Sequence, residues 1–103
     1  MPWLMLSLAI ATEIIATTSL KYTDGFTRLV PSVITAAGYV SAFWFLSVAL
    51  REIPVSTAYA IWSGVGTATI AVIGIAFLGE PGGLLKTIGI AMIIVGVVLL
   101  NMA

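Results

Sequence analysis

Four apolar stretches of about twenty residues each, at 3–20, 29–50, 55–78 and 84–102, constrain this chain more than any other feature. A helix rises about 1.5 Å per residue and a bilayer hydrocarbon core is about 30 Å thick, so each stretch has the length of one membrane span. Most charges gather in short clusters: Lys21, Asp24 and Arg28, then Arg51 and Glu52, then Glu80 with Lys86 at the start of the last stretch. Glu13 alone stands deep within a span.

A helical bundle in water needs a polar outer face on each helix, and these stretches have none. Open sheets leave unsatisfied edges in lipid, and the alternation expected of barrel strands is missing. The expected fold is an all-α integral membrane protein, a single domain of four transmembrane helices over 1–103. With 61% hydrophobic and 8% charged residues, little chain remains for a soluble domain, so activity falls to the spans themselves. That favours transport over catalysis.

Other classes are disfavoured by what the chain lacks. Without cysteine or histidine there is no thiolate chemistry, disulfide framework or familiar metal-ligand set, and no metal or cofactor is expected. A net charge of zero offers no basic surface to nucleic acid. The first span lacks a preceding positive residue and carries Glu13, so it reads as a retained helix rather than a cleaved signal.

Short turns at Asp24-Gly25, Arg51 to Pro54 and Pro81-Gly82-Gly83 join the spans, which predicts antiparallel sequential neighbours. Loops one and three share a side and hold Lys21, Arg28 and Lys86, against Arg51 on the other. So weak a bias is compatible with insertion in both orientations. Four thin helices do not readily enclose an organic ion, which points to an oligomer. Gly89 and Gly96 in the last span, with Ile93 on the same stripe, form its candidate contact, because small residues let helices approach closely.

Glu13 carries the chemistry. It lies about 15 Å along the helix from Trp3 and about 10 Å from Leu20, well inside the hydrocarbon. A charge there costs about 2.5 to 3.5 kcal/mol on insertion scales, and such residues are by default functional. No Lys, Arg or His sits at comparable depth in another span, so the carboxyl either keeps a proton or meets a cation that comes and goes. Thr17, one turn on, is placed to hydrogen-bond it, while Ala9 and Ala16 are expected to leave space beside it. Tyr59, Trp62, Ser63 and Gly66 share one face of the third helix, an aromatic surface suited to cations. Tyr39 and Phe43 extend that wall, and Trp44 faces elsewhere. Gly64 and Gly66 allow either a hinge or a close helix contact.

The run Ala11-Thr12-Glu13-Ile14-Ile15-Ala16-Thr17-Thr18, then Leu20-Lys21, Gly25-Phe26-Thr27-Arg28, Pro31-Ser32, Ile53-Pro54, the stretch Ala58 to Gly66 and the last helix resemble the small multidrug resistance transporters. The likeness covers essentially the whole chain. It implies an antiparallel, dual-topology homodimer in the bacterial inner membrane that exchanges protons for hydrophobic and quaternary ammonium cations. By motif position it assigns ion binding to Glu13, the pocket aromatics to Tyr39, Tyr59 and Trp62, the kink to Gly64 and Gly66, and the dimer contact to Gly89 and Gly96. Glu80-Pro81 departs from the Gln or other polar residue of many drug exporters, and acidic versions occur among guanidinium exporters. Those exporters typically place a Trp three residues after the acidic residue, where this chain has Ala16. Rival readings are a guanidinium/proton exporter, an obligate heterodimer with a paralogue, and a non-transporting subunit of a membrane complex whose partner supplies a base for Glu13.

Overall fold

In the computed structural model, which describes residues 1–102, the chain forms α1 (Pro2–Leu20), α2 (Leu29–Ala49), α3 (Val55–Phe77) and α4 (Leu84–Met102). All four are long and apolar enough to cross a membrane. Prolines mark three of the starts: Pro2 opens α1, Pro31 lies in the first turn of α2 and Pro54 caps α3. Their missing N–H groups fall where a helix has no carbonyl to offer, so nothing is lost.

The turns have their own internal order. After a single 3₁₀ turn at Lys21–Thr23, three residues in succession, Asp24, Gly25 and Phe26, take positive φ and reverse the chain. The buried Thr23 anchors this turn, since its carbonyl accepts from the N–H groups of Thr27 and Arg28 at 2.9 and 3.1 Å. Between α2 and α3, Ile53 is buried with Leu6, Ala49 and Ala58, which ties that junction to the start of α1.

The helices do not stack strictly in chain order. α1 lies between α2 and α3, and α4 packs on α3. Although the α2–α3 connection is short, α2 and α3 touch sparingly, for example where Phe43 meets Trp62 edge-on. Ala9 and Ala16, seven residues apart, share one face of α1, and at Ala16 that face closes on Gly38 of α2. Ala9 and Ala16 have no exposed surface at all, so the space expected beside Glu13 is filled by neighbouring helices. At Gly38 of α2 an added Cβ would stand 2.7 Å from Ala16 Cβ and 3.1 Å from the Thr12 carbonyl oxygen. Ala16 is a contact residue, and its small size admits α2 rather than a ligand.

Gly38→Ala therefore forces α1 and α2 apart or distorts one of them. The expected cost is about 1 to 3 kcal/mol, as for other overpacked sites. It is read from unfolding in mixed detergent micelles, and an unchanged midpoint would show that this contact yields without strain.

The assembly is a slab, 43 × 36 × 16 Å between Cα atoms, with broad apolar faces on both sides. α4 is the extreme case, having no buried residue along its length. Ile93 and Val97 of α4 reach Gly64 of α3, whereas nothing lies within 4 Å of a Cβ built on Gly89 or Gly96. The glycine stripe thus runs beside the α3 contact on an open face, and Ile93 serves α3 instead of that stripe.

Candidate functional site

The close approach of Gly38 to Ala16 sets the next residues of each helix against one another. Thr17 Oγ1 and Tyr39 Oη lie 2.8 Å apart, and Thr17 donates to Glu13 Oε1 at 2.7 Å, one helical turn back. Thr17 has a single hydroxyl proton. When it donates that proton to an ionised Glu13, Tyr39 must donate to Thr17 to complete the second bond. A protonated Glu13 can instead donate to Thr17, with Thr17 donating to Tyr39. The three groups form a chain whose polarity follows the state of the carboxyl.

α3 closes on the other side of the carboxyl. Gly66 is buried, and a Cβ there would stand 3.0 Å from Glu13 Oε2. The absence of a side chain at Gly66 makes the notch in which the carboxylate rests. α3 is helical without interruption through this point, so in this conformation Gly64 and Gly66 both act as close contacts, one toward α4 and one toward Glu13.

Glu13, Thr17, Tyr59, Trp62, Ser63 and Gly66 line one cavity of about 440 Å³. Tyr39 stands behind it, linked through Thr17. The Tyr59 and Trp62 rings are 5.5 Å apart and tilted, and Phe43 meets Trp62 at 6.1 Å, so an aromatic surface continues from α3 onto α2. Trp44 is 60% exposed and pairs with Phe45, away from this surface. Ser63 donates to the Tyr59 carbonyl at 2.8 Å, which leaves its oxygen free to accept. Trp62 Nε1 is buried with no hydrogen-bond partner, an unused donor at the site.

Sequence reading missed the far end of the cavity, lined by Thr67, Ile70, Ala71 and Glu80. Ile70 and Ala71 simply continue the stripe that begins at Tyr59, so extending the same helical periodicity past Gly66 finds them. Glu80 carries no comparable signal, because its place depends on the turn after α3. Among the described residues no group of three His, Cys, Asp or Glu side chains is arranged to hold a metal ion.

The geometry is that of a carboxylate at mid-span, held by one hydroxyl, beside aromatic faces and an apolar wall. It can neutralise a proton or a hydrophobic cation. The family model described as Small Multidrug Resistance protein matches residues 1–93. A protein from Klebsiella aerogenes named quaternary ammonium compound-resistance protein QacF is 48% identical over 100 residues, covering 97% of this chain and 91% of its own. The multidrug resistance protein mmr of Mycobacterium leprae is 47% identical, covering 100% of this chain and 97% of its own. A guanidinium exporter from Proteus vulgaris is 41% identical, covering 100% and 99%.

Proposed function

Because this chain belongs to the small multidrug resistance family, a family of small-molecule efflux transporters of the bacterial membrane, we propose that it exchanges protons for hydrophobic and quaternary ammonium cations at Glu13. The observation that carries this reading is the Glu13 carboxylate, resting against Gly66 and bonded by Thr17, in a cavity whose other face is Tyr59 and Trp62. The carboxyl accommodates a proton or an organic cation, and mutual exclusion between them is the coupling. A neutralised site crosses the low-dielectric span at far lower cost than a charged one, so the empty ionised form is the one that does not reorient.

Tyr39, Thr17 and Ser63 orient the carboxylate and the ligand, and Tyr59 and Trp62 give the cation a shape-tolerant surface. The working unit in this proposal is an antiparallel homodimer. Three features support it: the slab is only 16 Å thick, α4 has no fully buried residue, and Gly89 and Gly96 face open space. The near balance of loop charges favours both orientations. Reorientation draws on the flexibility of Gly64 and Gly66. The protein from Proteus vulgaris keeps a second reading in view, with guanidinium as the exported ion.

The test is a binding titration of a tetraphenyl-substituted cation on the purified protein across pH. If protons and the cation exclude one another, the apparent affinity weakens as pH falls, by up to tenfold per pH unit for each proton displaced, and cation binding releases protons in return. Binding that ignores pH would overturn the exchange mechanism, and with it the role given to Glu13.

A further inference from the structure

Glu80 lies beyond the end of α3, yet the fold returns its carboxyl to the cavity that holds Glu13. Gly79 takes φ +70, a left-handed conformation that glycine adopts without strain, and reverses the chain. The reversal brings the Glu80 N–H to the Gly74 carbonyl oxygen at 3.0 Å, an oxygen that also accepts from Leu78 N–H at 3.2 Å. With its backbone pinned there, Glu80 lays its side chain over Gly74. A Cβ on Gly74 would collide with Glu80 Oε1 and stand 2.7 Å from Cδ and 3.1 Å from Oε2.

The position has a consequence for the cavity's length and charge. Gly74 is eight residues beyond Gly66, about 12 Å further along α3, and Gly66 is the residue that touches the Glu13 carboxylate. One acid therefore stands at mid-span and another at the mouth, with Ile70 and Ala71 between them on the wall. Two negative groups joined by an apolar stretch complement a ligand with two positive ends and an apolar middle.

We infer that Glu80 forms an outer cation subsite of the Glu13 cavity, which takes the second charge of an organic dication whose two quaternary nitrogens are joined by an apolar chain. This subsite rests on the reading of Glu13 as the site of cation binding. A dication of matching length meets both carboxylates at once, whereas a short one leaves its second charge against Ile70 and Ala71. Selection by length is the signature of such a two-point site, and general attraction to a negative mouth does not produce it.

The experiment measures competition by alkane-α,ω-bis(trimethylammonium) ions of increasing chain length, and by the matching alkyltrimethylammonium ions, against a tetraphenyl-substituted cation on the purified protein. The dication-to-monocation preference should peak where the nitrogens span about 12 Å, the axial separation of Gly66 and Gly74, against which the two acids lie. Glu80→Gln should lower that peak preference about fivefold, the upper range for one exposed ion pair. Gly74→Ala should lower it as well by displacing the carboxylate while keeping its charge, and Glu80→Asp should keep part of it. A preference without a length optimum, or one that Glu80→Gln leaves intact, overturns the outer subsite while monocation binding still supports Glu13. If neither class of cation binds the unaltered protein, the export reading falls and the subsite falls with it.

Discussion

Glu13→Gln reduces proton-driven cation exchange in liposomes to the level of protein-free vesicles, while insertion and detergent-solubilised yield stay close to those of the unaltered protein. The amide has almost the shape of the carboxyl, and its oxygen can still accept from Thr17 O–H, so the contact with α3 at Gly66 is preserved. What disappears is the negative charge and the ability to titrate. A bound cation loses its counter-charge in a low-dielectric site, which costs about 3 to 5 kcal/mol for a broken buried pair, or roughly a hundred- to several-thousandfold in affinity. Glu13→Asp gives a different outcome. The carboxylate is retained but withdrawn by one methylene from Thr17 and Gly66, so exchange persists with an altered pH profile. Undiminished gradient-driven uptake by the Gln variant would remove the centre of the proposed mechanism.

The membrane-spanning architecture was legible because lipid leaves few options: an apolar run of span length with no polar face has to be a helix. Glu13 was legible for the same reason, as the one charge at mid-span. The face from Tyr59 to Gly66 followed from helical periodicity, but its continuation through Ile70 and Ala71 went unread, since ordinary apolar residues in an apolar helix do not mark themselves. Helix neighbours were harder. Ala9 and Ala16 read as free volume beside Glu13, and the structure gives that volume to neighbouring helices. A small residue creates either a pocket or a close contact, and only the partner decides which. Gly38 is that partner for Ala16, and nothing in its own stretch announces it. Glu80 required tertiary information of another kind: a left-handed Gly79 and a side-chain-free Gly74, whose joint effect is visible only once the turn is built.

Bulky aromatic cations should exceed guanidinium as substrates, and the structure changes the grounds for that expectation. Ala16 supplies no pocket wall, being packed against Gly38, so the absence of a Trp at that position first of all permits the α1–α2 contact. The cavity beside Glu13 favours bulky cations instead, with a volume of about 440 Å³ that lies within the range of small-molecule sites. Tyr59 and Trp62 give it aromatic faces, and Ile70 and Ala71 continue an apolar wall. A large hydrophobic cation that buries about 100 to 150 Å² more apolar surface than guanidinium gains roughly 2.5 to 4 kcal/mol at about 25 cal/mol per Å². That corresponds to about a hundredfold or more in apparent affinity. Guanidinium, small and well hydrated, gives up water without filling the cavity. The measurement compares a tetraphenyl-substituted cation, a quaternary ammonium detergent and guanidinium in one liposome preparation under one pH gradient. The bulky pair should saturate at concentrations about a hundredfold lower. Strong guanidinium exchange with no response to either bulky cation would overturn the multidrug reading and assign the Glu13 site to guanidinium export instead.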